Sequence, residues 1–122
     1  MPLVDTSVWV AHFREGGPPL PDLLEAGEVL CHPLIIGELA CGNLRNRSTI
    51  LGMMEDLPQA AVAEHDEVLR FIELRSLQGR GLGYVDIHLL ASALMSGALL
   101  WTLDRRLGEV AGELGCRYFV PG

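Results

Sequence analysis

Four acidic residues, Asp5, Glu38, Asp86 and Asp104, fall where an α/β chain places its chemistry. Asp5 closes the short apolar run Pro2-Leu3-Val4, and Asp104 closes the apolar run over 98–103. Glu38 and Asp86 interrupt helical patterns that are otherwise apolar, where an unpaired charge is costly. Carboxylates brought together without a lysine repel one another. Protonation relieves that repulsion by raising their pKa values; a hard cation bound through oxygen relieves it too. Mg²⁺ or Mn²⁺ suits few carboxylates, retained waters and a phosphate, whereas Zn²⁺ prefers His or Cys ligands. Any one of these acids alone reads equally well as surface charge or, for Asp5, as the start of a helix.

Chain geometry brings the acids together. The spacing predicts a helix from Tyr84, after Gly81 and Gly83, to Gly97, followed by a strand over 98–103. From Asp86 to Gly97 a helix descends roughly 17 Å, at about 1.5 Å per residue. From Ala98 to Asp104 a strand returns about 20 Å, at about 3.3 Å per residue. Asp86 and Asp104 therefore reach the same edge. In an open parallel sheet, sites form beyond the carboxyl ends of strands, which adds Asp5 at the end of the first strand. Glu38 lies one turn into the helix that follows the second strand. Side chains lean toward a helix N-terminus, so Glu38 points back to that edge.

The remaining elements alternate in the same way. A first helix is expected through Val8-Trp9-Val10-Ala11-His12-Phe13, capped by Thr6 or Ser7. A short helix is expected over 21–26, and a second strand over 28–32, closed by Pro33. Helices follow over 34–45, from Ser48 to Pro58, and over 64–77. A third strand is read at 60–63, a last helix over 107–114 and a final strand over 117–120. Strands alternating with helices indicate an α/β domain with a mainly parallel sheet. The length of 122 residues suits one domain, 1–122.

Composition narrows the function. All nine basic residues are arginine. Without lysine there is no Walker A loop, no Schiff base and no phosphate-sensing lysine. Cys31, Cys41 and Cys116 show no CxxC spacing and read as reduced core residues; Cys31, His32 and Cys41 match no zinc pattern. No apolar run reaches the ~18 residues of a membrane span, and no signal peptide is evident, so a cytoplasmic protein is expected. The formal charge of −7 argues against nucleic acid. Two bound divalent cations would reduce it to about −3. Arg14, Arg45, Arg47, Arg80, Arg105 and Arg106 fall at helix ends and in loops; Arg14, Arg80, Arg105 and Arg106 are candidate phosphate contacts.

The segments Val4-Asp5-Thr6-Ser7-Val8-Trp9, Pro33-Leu34-Ile35-Ile36-Gly37-Glu38-Leu39, Val85-Asp86-Ile87-His88-Leu89-Leu90-Ala91 and Trp101-Thr102-Leu103-Asp104 together resemble the PIN-domain ribonucleases. Among these the chain is most similar to the VapC toxins of toxin–antitoxin pairs. The resemblance runs from Pro2 to the C-terminus. It implies a PIN-like three-layer α/β domain, with a central five-stranded parallel sheet flanked by helices. It also implies a Mg²⁺- or Mn²⁺-dependent endoribonuclease that cuts single-stranded regions of RNA. Asp5, Glu38, Asp86 and Asp104 would be the catalytic and metal-binding carboxylates, with Thr6 and Thr102 as supporting hydroxyls. Some members carry a further acid after the last of these; here Arg105, Arg106 and Leu107 follow. The expected partners are a VapB-like antitoxin, RNA and a second copy of the chain in a homodimer. An apolar groove around 39–57 would suit an antitoxin segment.

Three rival readings are an RNA-processing or quality-control PIN nuclease without a toxin role, a catalytically silent PIN-fold binding module, and a haloacid-type phosphatase. The last requires Asp-x-Asp and a lysine, and the chain has neither at the expected place. A serine or cysteine nucleophile is not expected, because spacing places no histidine beside one.

Overall fold

The computed structural model describes residues 1–17 and 19–121. The chain runs β1 (Pro2–Val4), α1 (Thr6–Glu15), α2 (Leu20–Glu25), α3 (Pro33–Ala40) and α4 (Arg47–Asp56), then α5 (His65–Arg75), α6 (Tyr84–Ser96), β2 (Leu99–Trp101) and α7 (Arg105–Glu113). β1 and β2 pair in parallel, with Pro2 opposite Leu99, Leu3 opposite Leu100 and Val4 opposite Trp101. Every residue of β1 is buried.

The expected five-stranded sheet is not present as a continuous ladder. Among the described residues, two strands form the sheet. Isolated parallel bridges extend it: Leu3 to Leu30 and Cys31 to Gln59 on one side, Leu100 to Arg117 on the other. The physical reason lies at the ends of these segments. His32 leaves the second segment at once to cap α3. Gln59 directly follows Pro58, which has no N–H to donate. The predicted strand over 60–63 has no bridged position, the bridge lying just before it at Gln59, and that over 117–120 shrinks to Arg117.

The helices differ from expectation mainly at their ends. α3 stops at Ala40, short of residue 45. α7 starts at Arg105 rather than 107, because Asp104 caps it by accepting a hydrogen bond from the Leu107 N–H at 2.9 Å. In α1 the cap is Asp5 itself, not Thr6 or Ser7. α6 spans Tyr84–Ser96 and ends on Gly97 at φ +62°, a left-handed conformation that glycine adopts without strain. Ile87 to Ala93 are all buried, so α6 is the helix embedded in the core. It packs on β2, which places Asp86 and Asp104 at opposite ends of one helix-to-strand return. The core is Leu3, Val4, Trp9, Ile35, Leu89, Leu90, Leu100 and Leu107 with their neighbours. Cys31 and Cys116 are buried and Cys41 is exposed; all three are free thiols.

Candidate active site

Asp5 is the anchor of the site. It is only 6% exposed, and its Oδ2 accepts the Ser7 hydroxyl at 2.6 Å and the Thr102 hydroxyl at 2.8 Å. The Ser7 N–H approaches the same oxygen at 3.4 Å. Ser7 Oγ in turn accepts the Leu103 N–H at 3.0 Å, and Thr102 Oγ1 accepts the Asp104 N–H at 3.0 Å. Two hydroxyls thus join the end of β1 to the end of β2. Each donates to the carboxylate and accepts a backbone N–H, which satisfies the buried polar groups at this seam.

The other acids are fixed by their own elements. Thr6, first in α1, donates to Glu38 Oε1 at 2.6 Å and so ties α1 to α3. Asp86, in the first turn of α6, reaches back to the Gly83 N–H at 3.0 Å through Oδ2. Asp104 uses Oδ1 to cap α7. A pattern emerges across the set. Among the described residues, each carboxylate engages one oxygen in protein hydrogen bonds. The second oxygen, Oδ1 of Asp5, Oε2 of Glu38, Oδ1 of Asp86 and Oδ2 of Asp104, has no protein donor.

The four acids share one electrostatic field. Burial pushes the Asp86 carboxyl above the usual range, and the charges of Asp5, Asp104 and Glu38 push the same way; the Gly83 hydrogen bond opposes them. The expectation that Glu38 sits within an apolar face is corrected. Glu38 is exposed, because its side of α3 opens into a groove. No three His, Cys, Asp or Glu side chains form a ready metal cage among the described residues. The donors nonetheless fit a hard divalent cation by chemistry. They are carboxylate oxygens only, each oriented through one oxygen and free at the other, and no arginine or lysine pairs with any of them among the described residues.

The arginines divide. Arg80 clamps Glu113 through both guanidinium nitrogens, at 3.2 and 2.5 Å, and Arg105 reaches Glu109 at 3.5 Å. Arg14 lines the groove beside Glu38 and Thr6, with a volume of about 440 Å³. Arg106 lies against the backbone of Gly81.

Two groups escaped sequence reasoning. Ser7 stands in the quoted Asp-Thr-Ser segment, yet its part in holding Asp5 depends on the pairing of β1 with β2. His32 caps α3: its Nδ1 accepts the Leu34 N–H at 3.0 Å, and its Nε2 meets Ser92 Oγ of α6 at 2.9 Å. Because Nδ1 accepts, the ring proton sits on Nε2, and the ring is neutral. Burial, helped by His88, lowers its pKa to about 4. A serine does stand beside a histidine, contrary to the expectation from spacing. Ser92 is wholly buried on the core-embedded α6, so this pair is structural rather than a nucleophile.

The PIN domain family model matches residues 3–113, and the chain belongs to that family. Within it the chain is VapC-like. It is 50% identical over 116 residues to Ribonuclease VapC32 of two Mycobacterium tuberculosis strains, covering 94% of each sequence. The crystal structure of PAE2754 from Pyrobaculum aerophilum shares the fold, with a TM-score of 0.58 at 22% identity. That match covers 94% of this chain and 89% of the other.

Proposed function

We propose that this chain is a Mg²⁺- or Mn²⁺-dependent endoribonuclease and the toxin of a VapBC-type pair. One observation carries the reading: four carboxylates share a field, and each keeps one oxygen free of protein donors. Kinship with Ribonuclease VapC32 supports RNA as the substrate. Asp5, Glu38, Asp86 and Asp104 would hold the cation. When bound, it supplies Lewis-acid chemistry, acidifying an attacking water and stabilising charge on the phosphodiester.

The protein's own part is orientation. Ser7 and Thr102 hold Asp5, Thr6 holds Glu38, and helix-end N–H groups hold Asp86 and Asp104. None of these residues need form a covalent intermediate. The groove between α1 and α3, lined by Val10, Phe13, Leu39, Leu44 and Ile50, borders Glu38 and Thr6. It is the surface we assign to an apolar antitoxin segment, which would lie across the entrance to the acids.

The test is cleavage of single-stranded RNA with Mg²⁺, with EDTA, and by Asp5→Asn and Asp86→Asn. Chelation and either substitution are expected to abolish cutting. Cutting that persists through all three would end the metal-dependent reading. Co-expression with the product of a short neighbouring gene should relieve growth arrest if the chain is a toxin; arrest without any such rescue points to a processing nuclease.

A further inference from the structure

Three arginines lie on the α5–α6 loop and at the start of α7, and they are not equivalent. Arg80 is held by Glu113 and Arg105 reaches Glu109. Arg106 has no hydrogen bond or ion pair among the described residues, and it is exposed. Its side chain nevertheless has a neighbour. It lies along Gly81, where φ is +79°. A Cβ placed there would meet Arg106 Cδ at 2.9 Å and Cζ at 3.1 Å, with Nη1 closer still. Gly81 is therefore a floor on which the guanidinium lies, where a side chain would have to displace it.

This floor lies between the two segments that present acids. Gly81 precedes by two residues the Gly83 N–H that holds Asp86, and Arg106 follows by two residues the Asp104 cap of α7. Helix stability does not explain the arginine, since a cation in the first turn opposes the helix dipole. Nor does neutralisation of the acids, because no arginine acts on the Asp86 carboxyl. What remains is a planar, permanently charged donor fork, seated on backbone, open to solvent and beside an acidic edge. Such a fork matches phosphate oxygens bidentately.

We propose that Arg106, seated on Gly81, anchors a backbone phosphate of the RNA next to the acidic edge. It sets the register of the strand and takes no part in bond breaking. The inference rests on the ribonuclease reading and deepens it.

The test uses a labelled single-stranded oligoribonucleotide and the full chain. Binding is read by fluorescence anisotropy with Mg²⁺ in an Asp86→Asn background, over a series of salt concentrations. Adding Arg106→Ala should weaken binding about tenfold and reduce the slope of log K against log[salt] by about 0.7, the loss of one phosphate contact on a single strand. Arg106→Lys should restore the slope but only part of the affinity, since a lysine makes no fork. Gly81→Ala, which displaces the guanidinium without removing its charge, should weaken binding in the same direction but by less than Arg106→Ala. Arg75→Ala, which removes a charge from the exposed end of α5, serves as control and should leave the slope unchanged. In cleavage by the otherwise unaltered chain, the Arg106→Ala defect should fall on KM rather than kcat. A slope and affinity equal to those of the Arg75 control would overturn the anchor and leave the nuclease standing. Failure of the unaltered chain either to bind or to cut RNA would overturn both.

Discussion

Thr102 Oγ1 lies 2.8 Å from Asp5 Oδ2, although the two residues are 97 positions apart. The contact closes the seam between β1 and β2 and turns one oxygen of Asp5 inward, leaving the other without a protein donor. The orientation of the most buried acid thus depends on hydroxyls rather than on charge.

Removing those hydroxyls should loosen the acid before it unfolds the protein. Thr102→Val is expected to cost about 1–2 kcal/mol of stability, by leaving the Asp104 N–H and one Asp5 acceptor site unpaired. Ser7→Ala should act similarly. Both should weaken Mn²⁺ binding by about tenfold to a hundredfold, as loss of a supporting hydrogen bond does at metal sites. Calorimetric titration with Mn²⁺ checks this; unchanged affinity in both variants would remove hydroxyl orientation from the account.

Burial and three neighbouring acids disfavour the charged form of Asp86. The folded chain therefore favours its neutral form, and stability rises as pH falls through its raised pKa. Asp86→Asn imposes that neutral state and keeps an acceptor for the Gly83 N–H. We expect its melting temperature to rise by about 2–5 °C without added metal while RNA cleavage is lost. A melting temperature below that of the unaltered chain would contradict this.

His32 gives an opposite pH response. Its pKa falls from 6.5 to about 4 on folding, so the unfolded chain binds more protons between those values. The stabilisation is fully present above about pH 6.5 and is lost as pH falls toward 4, to the extent of roughly 3 kcal/mol. His88, lowered by burial, adds in the same direction. Urea unfolding of the unaltered chain and of His32→Asn across pH 4–7 should show a shallower dependence in the variant. Asparagine still caps α3 but does not titrate.

A charge in the groove should separate the two proposed partners. Ile50 lines the groove from α4 and is not among the hydrogen-bond partners of the four acids. Ile50→Glu is expected to weaken antitoxin binding by at least a hundredfold, about 3 kcal/mol. RNA cleavage should stay within twofold of the unaltered rate. Tight antitoxin binding by this variant would move the interface elsewhere.

Much of the frame was legible because it rests on local signals. Gly83, Gly97 and the apolar stretch between them define α6, and the helix-to-strand return follows from lengths alone. Other features depend on contacts that no local pattern carries. Asp5, Thr6 and Ser7 are all good cap formers, so only the seam with Thr102 selects Asp5 as the cap of α1. Leu44 continues the apolar spacing of α3 but packs from the loop after Gly42. Glu38 looked costly on an apolar helix, yet it opens into a groove formed by elements distant in sequence. The outer sheet segments are too short to form ladders: His32 turns into a cap, and Pro58 accepts the Cys31 N–H but has no N–H to carry the pairing further.

The parallel pairing of β1 with β2 has a consequence for synthesis on the ribosome. Asp5 is made 97 residues before Thr102, which orients it from the end of the paired strand. Contacts of such long sequence separation form late in folding. A nascent chain thus emerges with its most buried acid unanchored until β2 and Thr102 have followed it. The acidic edge therefore cannot be set in order before β2 has been made and paired.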